Sequence, residues 1–306
     1  MDNLSDFFLR KKYDNVKKLK SKLEEINSLV DWNEFLRFFP KKESNLGRPK
    51  YNRVLMIKIL ILQNLYGISD EETEFQIHDR LSFQAFLNFP TSIPDHTTIW
   101  NFREELLELG VEDLIFDEFL RQIKTFDYEV KEGKIQDATF IQAPNGKTKP
   151  QHEERGREIS KTSRSRDGKW VKKNAKSYFG FKLHTKTQRG SKLIESFAIT
   201  PANIHDNNID LAEQDEIIYR DRGYSGSKTK AKGDATMKLG KLTPKQKRRN
   251  YRICRKRSEG EHQYGTIYSS MNGGRTKLTT VARVYIQQMF VCIGYNLRRL
   301  TFLVKP

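Results

Sequence analysis

The hydrophobic period of this 306-residue sequence changes near Phe126, and this change constrains the fold more than any other feature. Before it, apolar residues recur every three or four positions, which is the spacing of amphipathic helices. After it, short segments rich in β-branched and aromatic residues lie between turn formers, as strands do. We therefore predict an all-α N-terminal part and a sheet domain that begins near residue 130.

The helical part divides at Gly47 and Pro49, two residues that interrupt helices. Residues 1–45 are expected to form an amphipathic helical arm. Its apolar positions are Leu19, Leu23, Ile26, Leu29 and Val30. Residues 46–128 are expected to form a helical domain, beginning with a strongly apolar helix that closes on Gly67.

Cap residues bound the later helices of this domain. Ser69, followed three positions later by a glutamate, predicts a capping box and a helix over Asp70–His78. Another helix is expected over Ser82–Leu87, and Asp95 and Gly110 are the expected N-cap and C-cap of the next. Such helices could hold a helix-turn-helix that binds DNA or form a plain bundle for dimerisation, and the sequence leaves both open.

The sheet domain is expected to span residues 129–306. Its four predicted strands are GKIQDATFIQ, KSYFGFKLHTKT, LIESFAITPA and DEIIYRDRGY. Residues 145–177 are polar and basic, so we expect a long loop anchored by Trp170. A basic segment over 228–257 and an apolar C-terminal helix over 279–303 complete the domain.

The chain is strongly basic, with 56 lysines and arginines against 39 acids, a formal charge of +17 and a pI near 9.7. Such a field attracts polyanions, and nucleic acid is the expected partner; a generic basic surface is the alternative. Between Lys228 and Arg257 stand thirteen basic residues and one acid. The residues expected to contact DNA are Lys172, Lys173, Lys176, Lys245, Lys247, Arg248, Arg249, Arg252, Arg255 and Arg257.

The sequence gives little support for a membrane span, a signal peptide, a disulfide or a zinc site. No apolar run approaches the length of a membrane span, and the N-terminus lacks the apolar core of a signal peptide, so a cytoplasmic protein is expected. Cys254 and Cys292 form no CxxC pair and are expected to be reduced. The six histidines are too scattered for a zinc site.

Three acids stand in an order that suits phosphodiester chemistry. Asp137 lies within the first predicted strand, Asp221 ends the last, and Glu261 lies on a helix after the basic segment. Two Mg²⁺ or Mn²⁺ ions held by carboxylates can activate a nucleophile and neutralise a phosphate. Two of the acids have a structural alternative: a turn aspartate for Asp137, and for Glu261 a surface partner of Arg257 one turn earlier.

Eight motifs resemble the insertion-sequence-five family of bacterial and archaeal DDE transposases over about residues 46 to 300. They are GRPKY at 47–51, LSFQAFL at 81–87, DHTTIWNFR at 95–103, DATFIQAP at 137–144, YFGFKLH at 178–184, TPANIHD at 200–206, DRGYSG at 221–226 and EHQYG at 261–265. The specificity lies in their order and spacing.

The resemblance implies an α/β fold: an RNase H-like catalytic domain with a mixed β-sheet, preceded by an all-α domain. It implies that Asp137, Asp221 and Glu261 bind metal and catalyse, and it favours Glu261 over the nearby Glu259. The implied partners are terminal inverted repeats and target DNA, bound by a homo-oligomer associated with the nucleoid. Candidate auxiliary residues are His184, Tyr224 and His262.

The chain departs from the family at one position. Many relatives show the pattern Y-x₂-R-x₃-E-x₆-K around the third acid, and Arg257 and Glu261 match it. Cys254 and Tyr268 occupy the tyrosine and lysine positions. The leading hypothesis is metal-dependent DNA cleavage and strand transfer; the alternative is a catalytically inactive derivative that binds DNA.

Overall fold

The computed structural model describes residues 11–14, 21–40, 50–148, 152–154, 157–159, 162–173 and 175–304. Leu19 of the predicted arm and residues 47–49 of the GRPKY motif lie outside these ranges. The chain divides into two compact units, the first formed by residues 1–128 with 289–306 and the second by residues 129–288. No helix of the described ranges is both long and apolar enough to cross a bilayer.

The first unit is helical. Its elements are α1 (Lys22–Leu29), a 3₁₀ helix (Trp32–Phe38), α2 (Arg53–Tyr66), α3 (Asp70–Asp79), α4 (Leu81–Phe86), α5 (His96–Leu109) and α6 (Glu112–Ile123). Their apolar faces meet in an aromatic core. The ring centroids of Phe35 and Phe119 are 4.4 Å apart there, and Trp32 lies edge-on to Phe86.

The predicted caps Ser69, Asp95 and Gly110 are confirmed; of the capping box predicted at Ser69, the structure shows the half in which Ser69 accepts, while the Glu72 side chain accepts a hydrogen bond from Gln76. Ser69 Oγ accepts a hydrogen bond from the backbone N–H of Glu72 at 3.2 Å, and Asp95 Oδ1 accepts one from Thr98 at 2.7 Å. Gly110 ends α5 in the left-handed region, with a φ of 61°. A side chain there would strain the backbone, which is why glycine serves as the stop.

The second unit contains a mixed sheet. The strands of this unit are β1 (Lys131–Gln142), β2 (Asn145–Thr148), β3 (His152–Glu154), β4 (Arg157–Ile159), β5 (Thr162–Arg164), β6 (Lys169–Lys173), β7 (Lys176–Arg189), β8 (Ile194–Pro201), β9 (Ile217–Arg220) and β10 (Gly233–Thr236). Its helices are α7 (Pro244–Arg257), α8 (Glu261–Ser270) and α9 (Val281–Leu303), and the residues of α9 from Met289 onward belong to the first unit.

The sheet has the order β10-β9-β1-β7-β6, with β8 also paired to β7. β1 runs parallel to β9 and antiparallel to β7, so the four predicted strands lie side by side. The buried residues Ile135, Tyr219, Met237 and Ile253 form an apolar cluster that packs α7 on β1 and β9. The sheet and the helix after it are thereby fixed together.

One expectation for the second unit is wrong in part. Residues 145–177, expected to be one long loop, contain the edge strand β6, which pairs with β7, and two small antiparallel pairs, β2 with β5 and β3 with β4. The strand β10 likewise lies in the basic segment. β6 is mostly exposed, and β10 has only four residues, so neither shows the apolar alternation that predicts a strand.

Candidate active site

Asp137 and Asp221 lie side by side on neighbouring parallel strands. Ile135 of β1 is the register partner of Tyr219 of β9. Two residues further along both strands come Asp137 and Asp221, the latter just past the end of β9. Because adjacent strands are about 4.8 Å apart and side chains alternate between faces, both aspartates project from the same face of the sheet.

The charge of Asp137 is incompletely compensated. Burial is the main reason that its pKa is raised, and the negative charge of Asp221 raises it further. The Arg257 guanidinium and the Ala138 N–H, whose hydrogen bonds to the carboxylate are each 2.9 Å long, oppose the shift without cancelling it. A buried carboxylate in this state would be stabilised by a further cation.

Asp221 is held by the turn that follows it. Its Oδ1 accepts a hydrogen bond from the backbone N–H of Gly223 at 2.8 Å. A Cβ atom on Gly223 would lie 3.0 Å from Asp221 Oδ1 and 3.7 Å from Asp206 Oδ2, so glycine lets the turn close on both carboxylates. Tyr224 is buried beside them; burial first, and then Asp206, Asp137 and Asp221, raise the pKa of its hydroxyl.

Asp206 is a carboxylate that sequence reasoning did not assign to the site. Its Oδ1 accepts a hydrogen bond from Lys182 Nζ at 2.8 Å, and the same ammonium donates to the backbone oxygen of Ile204 at 2.7 Å. Lys182 is buried in the middle of β7. Both residues stand in motifs quoted above, YFGFKLH and TPANIHD, which gave no sign that the two side chains meet.

Glu261 is the first residue of α8 and is exposed. Tyr264 and Tyr268, three and seven residues later, hydrogen-bond to Thr185 and Thr139 of the sheet at 2.7 and 2.9 Å. This spacing places Glu261 on the same side of the helix as the two tyrosines.

The structure does not complete a cluster of three acids. Among the described residues, no three side chains of the aspartate, glutamate, histidine or cysteine type are grouped closely enough to hold a metal ion. Asp137 and Asp221 are therefore brought together, and Glu261 stands apart from them on the neighbouring helix.

Arg257 and Glu259 bond differently from what the helical spacing suggested. Arg257, which the structural alternative paired with Glu261, donates instead to Asp137. Glu259 accepts hydrogen bonds from Arg189 at 3.2 Å and from the backbone N–H of Gly190 at 3.0 Å. The second carboxylate of this segment is thus tied to the end of β7, which leaves Glu261 as the one with an exposed side chain.

The candidate auxiliary histidines lie in contrasting places. His184 is fully buried, and its Nε2 lies 2.9 Å from Thr200 Oγ1. Burial lowers its pKa to about 4, so it is neutral at pH 7. Asp137 is the register partner of Thr185, so His184 projects from the opposite face of the sheet. His262 is exposed on α8.

Most of the expected DNA-binding residues are exposed. On α7 these are Lys245, Lys247, Arg248, Arg252 and Arg255, and on the β6–β7 edge Lys172, Lys173 and Lys176. Two are engaged within the protein: Arg249 donates to the backbone oxygens of Thr236 and Asp234, and Arg257 donates to Asp137. The free cationic face of α7 is accordingly smaller than the sequence indicates.

The donor set fits a hard divalent cation in part. Two adjacent carboxylates, one of them half-buried with a raised pKa, are the oxygen ligands that Mg²⁺ and Mn²⁺ prefer. Asp137 and Asp221 would hold the ion, and the exposed Glu261 is the acid available to join them.

The mixed sheet, with one aspartate inside β1 and the other at the end of its parallel neighbour β9, defines an α/β catalytic domain of the RNase H-like class. Residues 129–297 match the family described as Transposase DDE domain, and residues 11–105 match the family described as Transposase domain (DUF772). The chain therefore belongs to the DDE transposases, enzymes of DNA transposition, with the domain order of the insertion-sequence-five type. No solved structure matches it significantly.

Proposed function

We propose that this transposase cleaves DNA at terminal inverted repeats and joins the released 3′ ends to target DNA. The observation that carries the proposal is the parallel register that sets Asp137 beside Asp221, with the charge of Asp137 only partly compensated. Two such carboxylates at a strand edge suit metal-assisted phosphodiester chemistry.

Asp137, Asp221 and Glu261 would hold two Mg²⁺ or Mn²⁺ ions. When bound, these ions would lower the pKa of a water or 3′-hydroxyl and neutralise charge on the phosphate. Glu261 would reach the aspartates by rotation of its exposed side chain from the first turn of α8. Arg257, already bonded to Asp137, would keep that carboxylate ionised and oriented.

The exposed cations of α7 would bind the DNA backbone. Six lysines and arginines of this helix are exposed, while its buried Ile253 packs on the sheet. Phosphate contacts of this kind position a duplex without reading its sequence. Binding both terminal inverted repeats of a transposable element at once would require a homo-oligomer on DNA.

The proposal is tested by cleavage of labelled duplexes that carry the element ends, taken from the genomic DNA flanking the gene. We expect Mg²⁺- or Mn²⁺-dependent cleavage that falls by about a thousandfold or more in Asp137→Asn, Asp221→Asn and Glu261→Gln, because each removes a ligand of the metals. Glu259→Gln is the matched control, since its carboxylate bonds to Arg189 and Gly190 instead.

Each outcome of this experiment has one meaning. Cleavage that persists in all three variants would overturn the site. Cleavage lost in Glu259→Gln and kept in Glu261→Gln would move the third ligand to Glu259. Specific binding of the ends without any cleavage by the wild-type protein would favour an inactive derivative, a reading motivated by Tyr268 at the family lysine position.

A further inference from the structure

Lys182 and Asp206 form an ion pair that the proposed chemistry does not use. Lys182 is a buried residue of β7, and Asp206 begins the 3₁₀ turn Asp206–Asn208. Two hydrogen bonds from Lys182 Nζ, to Asp206 Oδ1 at 2.8 Å and to the backbone oxygen of Ile204 at 2.7 Å, fasten this turn to the sheet. Because a buried ammonium that loses its partner is strongly unfavourable, the place of the turn is tied to that of Lys182.

The turn that Lys182 fastens lies against the turn that holds a proposed metal ligand. This second 3₁₀ turn is Arg222–Tyr224, and its Gly223 donates the backbone N–H to Asp221 Oδ1 at 2.8 Å. A Cβ atom on Gly223 would lie 3.7 Å from Asp206 Oδ2, which is van der Waals contact. One oxygen of Asp206 thus faces the turn that orients Asp221.

Tyr224 connects the same two turns. Its side chain is buried, and burial is the main reason that the pKa of its hydroxyl is raised. Among the charges that raise this pKa further, Asp206 contributes more than Asp137 or Asp221. The guanidinium of Arg220, the fully buried residue before Asp221, lies 5.5 Å from the centroid of the Tyr224 ring. The ring is therefore beside both Asp206 and the end of β9.

Lys182 projects from the sheet face opposite to Asp137. Asp137 is the register partner of Thr185 on β7, and Lys182 precedes Thr185 by three residues, so alternation places the two side chains on opposite faces. This position does not suit contact with a metal ion or with a reacting phosphate at Asp137. It suits support of the Asp221 turn from behind the sheet, through Asp206.

We propose that Lys182 and Asp206 are positioning residues, which fix the turn Arg222–Tyr224 so that the Asp221 carboxylate is held ready to bind a divalent metal ion. Ligands that are held in place before the ion arrives bind it more tightly, and loss of the groups that orient a ligand typically costs about 10- to 100-fold in metal affinity. The inference rests on the proposed function, because it concerns the ion that Asp221 would bind.

Lys186 offers a matched control on the same strand. It is four residues from Lys182, so it projects from the same face, and it is a buried lysine paired with Glu213 and Glu216 at 2.6 and 3.0 Å. Glu216 directly precedes β9, whereas Asp221 directly follows it, so this pair acts at the opposite end of the strand. Lys182→Met and Lys186→Met should therefore both lower the free energy of unfolding, and only the first should affect the metal.

The test measures Mn²⁺ affinity by electron paramagnetic resonance on the full-length chain bound to a duplex that carries an element end, and stability by urea denaturation. Lys182→Met should weaken Mn²⁺ binding about tenfold, and Lys186→Met should leave it within about twofold. Asp206→Asn removes the charge with little change of shape and should weaken Mn²⁺ binding at least about threefold; it decides if Lys182→Met does not fold. The double variant should bind Mn²⁺ no more weakly than Lys182→Met alone, because the pair acts as one unit.

Wild-type Mn²⁺ affinity in both Lys182→Met and Asp206→Asn would overturn the proposal. An equal loss of Mn²⁺ affinity in Lys182→Met and Lys186→Met would also overturn it, since general destabilisation would then be the cause. Asp221→Asn separates this proposal from the previous one. If Asp221→Asn binds Mn²⁺ as the wild-type protein does, the metal site itself is wrong. If Asp221→Asn loses Mn²⁺ affinity and Lys182→Met keeps it, the positioning role alone is wrong.

Discussion

The two regions of this protein carry opposite charge. Residues 50–128 have 14 acidic and seven basic side chains, whereas residues 129–288 have 17 acidic and 35 basic ones. The difference extends to how the cations are used. In the first unit, Arg53 and Arg103 are bound by Glu105 and Asp70 at 2.6 and 2.5 Å, whereas most of the basic side chains on α7 are exposed.

The formal charge of +17 therefore conceals an acidic range and a strongly basic one. DNA phosphates are attracted to the second region and repelled by the described helices of the first. Of the two roles left open for residues 46–128, DNA binding and dimerisation, the charge favours dimerisation. We accordingly expect those helices to contact protein, and the predictions below test this contrast.

The largest expected effect comes from reversing charge on α7. The combined change Lys245→Glu, Lys247→Glu and Arg248→Glu should weaken DNA binding by about a hundredfold or more and reduce the slope of log K against log salt by about 3. Fluorescence anisotropy over a salt series measures both quantities.

The matched change in the first unit is Glu71→Lys with Asp79→Lys, two exposed acids of α3. Affinity should change by less than about threefold, because we expect no DNA phosphate near them. An effect as large as that of the α7 variant would show that the helical region also lies against DNA.

Acid should act on the two units in opposite directions. His184 is buried in the second unit with its pKa lowered to about 4, below the unfolded value of about 6.5, so its contribution to stability is lost as pH falls through that interval. The hydrogen bond that the His96 ring donates to Glu74 raises the pKa of this exposed histidine in the first unit, so its contribution to stability is present at low pH and lost as pH rises.

Hydrogen exchange at about pH 7.5 and about pH 4.5 measures this difference element by element. The opening free energy of β7 amides should fall by about 2 kcal/mol at the lower pH. Protonation of His96 should not lower the opening free energy of the first turn of α5. His184→Gln, which keeps a hydrogen-bonding group for Thr200, should remove most of the pH dependence in β7. Equal losses in both elements would contradict the contrast.

The smallest predicted effect concerns a helix cap. Asp95→Ala should lower stability by about 1 kcal/mol, because the N–H of Thr98 loses its acceptor at the start of α5. Asp95→Asn keeps an acceptor and should cost much less. Urea denaturation followed by circular dichroism measures both. A change in DNA affinity in either variant would argue for DNA contact by the helical unit.

Local features of the fold could be predicted from the sequence. Ser69, Asp95 and Gly110 act on backbone within one turn, so their roles are visible without tertiary structure. The four main strands were likewise predicted, because each is short, rich in β-branched or aromatic residues and bounded by turn formers. β6 and β10 were not, since exposed or very short strands owe their form to a neighbouring strand.

The same difference between local and long-range features applies to the candidate site. Asp137 and Asp221 could be proposed from their positions in strands, but their adjacency depends on the pairing register of two segments more than 80 residues apart. Helical spacing suggested that Arg257 pairs with Glu261, whereas a tertiary contact directs it to Asp137. The Lys182–Asp206 ion pair also depends on long-range packing, which single motifs do not encode.

Direct metal binding is the most decisive measurement, because the central claim is that Asp137 and Asp221 form a metal site. Mn²⁺ binding to the DNA-bound protein can be followed by electron paramagnetic resonance. We predict that Asp137→Asn and Asp221→Asn weaken Mn²⁺ binding by at least about tenfold, and that Glu259→Gln leaves it unchanged. Equal Mn²⁺ affinity in the wild-type protein and both aspartate variants would contradict the claim.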